Sequence, residues 1–573
     1  MSRRSLAFLG LLTLSLIGSA CAGDPTPSGM PTKHMVTSAN PFASDAGLEI
    51  LRRGGSAVDA ATAVQMVLTL VEPQSSGIGG GAFMLHYDDN SKTLEAYDGR
   101  ETAPSEVDST LFLTDAGTPA SKRDVIPGGR SAGAPGVIRM LALAHGEHGA
   151  LPWKDLFDPA IRLASEGFPV SPRLREMVSK DQNLKKFKAS RDYFYGPDGE
   201  AWPVGHVLKN PALAATLRLI AREGPEVFYR GEIAREIVAA VRGSEINPGR
   251  LSADDIAGYQ PKKRDVVCAP YRAWRICGMP PPSSGGVAVI QILKTLEGDA
   301  VAALEPETAE AANLIAEAAR LAYADRATYL ADSDFVDVPI DALVDGKYLA
   351  GRRALIEPGS VMASAPAGKP LGKPMSFRTA EPSEVPATTH YSIVDGMGNV
   401  VALTSSVESA FGNRMMVRGF MLNNQLTDFT FAPEKDGLAV ANRVEAGKRP
   451  LSSMSPTIVF DAEGRPVITL GSPGGPLIIS FVAKTLIGVL DWGMGIQEAI
   501  NLSNYIHFGN ALYVERGSAL AAKSAELEAL GYVMTEGALT SGLHGVVIHY
   551  QDDGSRWLEG GADPRREGKV SAD

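Results

Sequence analysis

Apolar and polar positions change rhythm along the chain often enough to mark most of its elements. Residues 40–53 and 56–70 carry apolar side chains at helical spacing, predicting two helices split by Gly54-Gly55. A glycine-rich stretch from Glu72 to Gly81 then leads into an apolar run at 82–86, read as a strand, with 93–97 pairing back. Between 132 and 251 the period is mainly helical, over 137–146, 156–167, 210–223 and 231–242, and these segments predict a helical layer. A strand-turn-strand pattern surrounds Tyr271-Arg272, and the loop from Met279 to Gly286 opens another helix. At 308–330 a long amphipathic helix sets Leu314, Ile315, Ala318, Leu321 and Ala322 on one face, a core stripe. The alternation at 390–394 and 400–404 around Gly396-Met397-Gly398-Asn399 predicts a hairpin. Further strands are read at 419–423, 457–460 and 467–470, a helix begins at Leu477, and 545–550 with 556–560 form a closing hairpin. No period of 20–50 residues marks internal repeats.

With 573 residues, 44% hydrophobic and 21% charged, the chain suits one large domain or two intimate halves. A net charge of −11 argues against nucleic acid as a partner. The 9 histidines form no ligand-spaced cluster with cysteine, so no metal site and no cofactor are indicated. At the N-terminus, Arg3 and Arg4 precede an apolar run at 6–17 and then small residues, an export signal over residues 1–22. That run is too short to span a membrane comfortably. Cleavage after Ala20 or Ala22 predicts a periplasmic or secreted protein. The alternative is a lipid on Cys21, although Gly18 stands where lipoprotein signals usually carry Leu. Cys268 and Cys277 flank the Tyr271-Arg272 turn, either as a disulfide in an oxidising compartment or as two free buried thiols.

The loop ending at Gly81 invites a phosphate-binding reading. No Lys-Ser/Thr follows it and the next element is a strand, so it is not a nucleotide loop. Arg100, just beyond a strand end, is placed either to grip a carboxylate bidentately or to sit in a surface turn. The most informative junction is Ala387-Thr388, where a proline-rich run carrying Pro358, Pro366, Pro370, Pro374, Pro382 and Pro386 meets a strand head-on. Thr388 is either an ordinary strand-start residue or the first residue of a new chain. In the second case its hydroxyl attacks the Ala387 carbonyl, water opens the ester, and the freed α-amine becomes the base that activates that same hydroxyl.

Six ordered blocks, 72–81, 279–286, 388–392, 423–428, 448–456 and 471–475, resemble the γ-glutamyltranspeptidase (glutathione hydrolase) family over roughly residues 38–566. The resemblance implies an α+β N-terminal-nucleophile hydrolase, a four-layer αββα sandwich. It also implies cleavage before Thr388 into a large chain, 23–387, and a small chain, 388–573, that stay together as one domain. By the same resemblance Thr388 is the nucleophile, and Ser406 stands where the family carries a threonine hydroxyl touching it. The Gly474 and Gly475 amides form an oxyanion hole. Arg100, Ser452 and Ser453 hold an α-carboxylate, and Gln425 and Asp428 an α-ammonium. Glu408 replaces a family asparagine, and the segment between Asp428 and Lys448 is short and lacks the tyrosine of the family's lid. The implied reaction moves a γ-glutamyl group, as from glutathione, to water, an amino acid or a peptide. The alternatives are a cephalosporin or glutaryl acylase on the same scaffold, and an inactive exported binding protein.

Overall fold

The computed structural model describes residues 32–298, 301–370 and 387–573. The export signal with Cys21, and the part of the proline-rich run at 371–386, lie outside the described residues. Two antiparallel sheets lie face to face. The first has seven strands in the order Lys569–Ala572, Met35–Ser38, Thr389–Val394, Val400–Ser406, Gly81–Asp88, Thr93–Asp98, Lys262–Arg264. The second has six, Arg556–Ala562, His544–Tyr550, Pro466–Gly471, Thr457–Phe460, Trp274–Gly278, Val267–Tyr271.

Side-chain alternation sorts the layers. On strand Gly81–Asp88, Ala82 and Met84 join the core under helices Pro41–Arg52, Ala57–Val71 and Val137–His148. Phe83, Leu85 and Tyr87 point the other way, into the core shared with Phe460, Leu470 and Ile548 of the second sheet. Helices Gly285–Thr295, Ala309–Tyr329 and Ile478–Leu490 cover the outer face of that second sheet. The result is helix on sheet on sheet on helix, the four-layer αββα sandwich that the family resemblance implies.

Helix ends follow the sequence signals. Ser56 and Asp59 form a reciprocal capping box, and Gly54, at φ 90°, turns the chain after the first helix. The stripe of Leu314, Ile315, Ala318, Leu321 and Ala322 is buried. The strand expected at 419–423 shrinks to Phe420–Met421, because Gly419 takes φ 85° and Asn423 turns its side-chain amide to the Gly79 and Gly133 carbonyls. Strands Met35–Ser38 and Lys569–Ala572 pair with each other at the sheet edge, a contact between the two ends of the described chain. In the short segment after Asp428, Glu434–Lys435 and Leu438–Ala439 form a small exposed hairpin turning at Asp436-Gly437, both at positive φ. Cys268 and Cys277 face each other across their hairpin and are disulfide-bonded. No helix among the described residues is long and apolar enough to cross a membrane.

Candidate active site

The strands of the first sheet alternate in direction, so four of their ends, at Thr389, Ser406, Gly81 and Asp98, meet along one edge. Register sets Ser405 opposite Thr389 and Ser406 opposite Gly81, which brings Ser406 beside Thr388. Their hydroxyl oxygens are 3.0 Å apart. The Glu408 amide N–H donates to Ser406 Oγ at 2.8 Å, fixing that hydroxyl. Thr388 itself is buried and held at φ 87°, a conformation that costs a β-branched residue on the order of 1–3 kcal/mol. Glu408 also has positive φ, at 82°.

Arg100 lies two residues past strand Thr93–Asp98, and its amide N–H donates to Asp98 Oδ1 at 2.8 Å. Its guanidinium, only 1% exposed, donates to the Pro450 and Leu451 carbonyls and, at 2.6 Å, to Asp428 Oδ2. Asp428 ends the short turn Gln425–Asp428, and Gln425 Nε2 donates to the same carboxylate oxygen at 2.8 Å. Gln425 Oε1 is buried without a hydrogen-bond partner among the described residues. Glu408 Oε2 accepts from Asn424 Nδ2.

A narrow crevice gathers Arg100, Thr388, Ser406, Glu408, Gln425, Asp428, Ser452 and Gly475, with Met454 and Ile478 as its apolar wall. Its volume is about 10 Å³, room for about one water molecule. Gly475 opens the turn that leads into helix Ile478–Leu490, which sets a helix N-terminus beside the crevice. Gly474 and Gly475 have φ 139° and 58°, and a Cβ on Gly474 would meet the Phe481 ring at 2.8 Å. Two expected residues stand back from the crevice: Gly474, one position behind it, and Ser453, whose hydroxyl accepts from Arg326 Nη2 at 2.8 Å.

Sequence reasoning left two neighbours without a role. Arg566 donates to the Thr388 carbonyl at 2.9 Å and to the Ser541 carbonyl at 3.0 Å, and burial with the nearby Arg173 lowers its pKa to about 9. Glu101 sits under Arg100 with both carboxylate oxygens lacking hydrogen bonds among the described residues. Burial raises its pKa to about 8. A Cβ at Gly81 would lie 2.3 Å from Glu101 Oε2, so the glycine makes room for that carboxyl. The only available signal was adjacency, Glu101 to Arg100 and Arg566 to the end of the closing hairpin.

The gamma-glutamyltranspeptidase family model matches residues 43–573. The glutathione hydrolase proenzyme of Bacillus subtilis (strain 168) is 36% identical over 474 residues, 81% of this chain and 79% of that protein. Its counterpart in Escherichia coli (strain K12) is 35% identical over 536 residues, 90% of each. The crystal structure of cephalosporin acylase from Bacillus halodurans superposes with a TM-score of 0.81 at 26% identity, covering 97% of this chain and 99% of that one. With this match, and with a buried threonine, arginine and carboxylate converging on one crevice, the chain belongs to the gamma-glutamyltranspeptidase family, a family of enzymes.

Proposed function

We propose that this protein is a γ-glutamyl hydrolase and transferase that matures by cutting its own chain between Ala387 and Thr388. Thr388 Oγ attacks the Ala387 carbonyl carbon as the Ala387–Thr388 C–N bond breaks, leaving an ester and a free α-amine. Water then hydrolyses the ester, giving a large chain ending at Ala387 and a small chain from Thr388 to Asp573. In the mature enzyme that amine takes the hydroxyl proton as Oγ attacks the γ-carbonyl of the donor, and passes it to the leaving amine. Water or an acceptor amine resolves the acyl-enzyme. Amide N–H groups at Gly474 and Gly475 stabilise the oxyanion.

The observation that carries the reading is the 3.0 Å contact between Thr388 and Ser406 beside the buried Arg100–Asp428 pair. A positive and a negative group 2.6 Å apart complement a zwitterionic amino-acid head, with the carboxylate on Arg100 and Ser452 and the ammonium on Asp428, Gln425 and Glu408. Left-handed backbone at Thr388 supports cleavage there, since hydrolysis of the preceding bond releases the strain. Ser453 is expected to act through Arg326 and the loop rather than by direct contact. Sheet partners on both sides of the cut, such as Gly81–Asp88 with Val400–Ser406, would hold the chains together as one domain.

A cephalosporin or glutaryl acylase is the second reading, favoured by the likeness to the Bacillus halodurans acylase. The two part on the head group, because an acyl arm without an amine brings no ammonium to the side of the crevice that Asp428 and Glu408 line. The deciding experiment compares Thr388→Ala with wild type for appearance of the small chain, then measures kcat/KM on γ-glutamyl-anilide and glutaryl-anilide. An uncut variant, and a wild type preferring the γ-glutamyl compound, are expected. Cleavage and hydrolysis surviving in Thr388→Ala would refute the mechanism, and equal turnover of both anilides would favour the acylase.

A further inference from the structure

One buried imidazole has no place in this chemistry. His86 lies on strand Gly81–Asp88, five residues from the end that borders the crevice, roughly 17 Å along the strand. It is 1% exposed, and neither ring nitrogen has a hydrogen-bond partner among the described residues. Buried polar atoms are nearly always paired, so two orphaned nitrogens on one ring call for a ligand.

What surrounds the ring answers that need. Glu95 is its cross-strand partner, and His148, the last residue of helix Val137–His148, lies with its ring centroid 4.1 Å away. One ligand atom from each of the three residues lies within 4.8 Å of the others. His148 Nε2 is 2.7 Å from Glu95 Oε2 and 2.9 Å from the Tyr97 hydroxyl, which also donates to Glu147 Oε2 at 2.6 Å. Lys263 holds the other oxygen of Glu95, Oε1, and so leaves Oε2 turned towards the histidines. Asp88 and Glu147 each bring a carboxylate oxygen to 3.7 Å from the His148 ring. As an ion-pair network alone, this cluster leaves the innermost imidazole with no partner.

We infer that His86, Glu95 and His148 form a zinc-binding site that ties the end of helix Val137–His148 to the first sheet. Two imidazole nitrogens and one carboxylate oxygen are a donor set that Zn²⁺ takes, with water at the fourth position. Zinc–nitrogen distances of about 2.0–2.1 Å put tetrahedral donors roughly 3.3 Å apart, so His86 draws nearer while His148 Nε2 and Glu95 Oε2, now 2.7 Å apart, spread slightly, a shift that falls on the two partly exposed side chains. Their exposure also leaves an entry path. The helix ends here, so its C-terminal carbonyls favour a cation. The Tyr97 hydroxyl, 2.8 Å from Glu95 Oε2, is an outer partner that orients the carboxylate. Cys268 and Cys277 are tied up in their disulfide and do not compete for the metal.

The test uses the untagged full-length protein, freed of metal with a chelator and titrated with Zn²⁺ against a chromophoric chelator. One Zn²⁺ per chain and a rise in Tm on zinc addition are expected. His148→Ala and Glu95→Gln, both at partly exposed positions that tolerate change, should each weaken binding at least 10-fold and abolish the Tm rise. A wild-type chain that takes up no stoichiometric zinc would overturn the site. So would variants that bind zinc and gain Tm as wild type does, since the metal would then lie elsewhere.

Discussion

The Thr388 hydroxyl lies 3.0 Å from the Ser406 hydroxyl, and Ser406 is in turn held by the amide of Glu408. A nucleophile oriented by a neighbouring hydroxyl loses that orientation when the neighbour is trimmed. In Ser406→Ala, kcat is expected to fall about 10-fold, the equivalent of one hydrogen bond worth roughly 1.4 kcal/mol, while Ser406→Thr stays near wild type. Steady-state kinetics on γ-glutamyl-anilide, with the rate of small-chain appearance on gels, checks both steps.

Glu408 adds a second carboxylate to a crevice that already holds Asp428. Glu408→Gln keeps the size and the acceptor for Asn424 Nδ2 but removes the charge. The ratio of kcat/KM for γ-glutamyl-anilide over glutaryl-anilide is expected to drop about 10-fold, since discrimination between ammonium and methylene is then left to Asp428 and Gln425. An unchanged ratio would remove Glu408 from head-group recognition.

Gly474 combines φ 139° with a Phe481 ring where a Cβ would stand. Gly474→Ala is expected to displace the turn and with it the oxyanion donors, lowering kcat by about 10²–10³. KM should change far less, because the residues proposed to hold the head group lie on other elements. Equal losses in kcat and in affinity would indicate a general collapse of the turn.

Glu101 supplies a pH signature. Burial raises its pKa from 4.5 to about 8, so the folded protein holds a proton there that the unfolded chain has lost. Its contribution to stability is full below about pH 4.5, declines as pH rises, and levels off above about pH 8. Glu101→Gln mimics the protonated form at every pH. Its advantage in Tm over wild type should therefore grow between pH 5 and pH 8, corresponding to at most about 5 kcal/mol. Paired melting curves across that range check the sign, and a constant difference would contradict the assignment.

Much of the fold was legible because periodicity is a local property. The helix at Ala309–Tyr329 and the strand at Thr457–Phe460 lie within a residue of their expected bounds, since caps and alternation are written in adjacent positions. Met35–Ser38 and Lys569–Ala572 were not anticipated, because four-residue edge strands carry little pattern and exist only through pairing at long range. Thr388 and Asp428 were nameable because long ordered blocks carry them, and Arg100 because it stands just beyond a strand end. The position of Ser453 behind Arg326 was not, because rotamers answer to neighbours distant in sequence.

The sequence alone determined the family, the alternation that builds two sheets, and a threonine at the head of a strand. These depend on residue identity and on neighbours a few positions away. Only the tertiary structure decided that Ser406 stands beside Thr388, that Arg566 reaches the Thr388 carbonyl across 178 positions, and that His86 is enclosed with Glu95 and His148. Strand register and helix docking make those contacts, and both are settled by burial of apolar surface summed over the whole chain rather than by any one stretch of it.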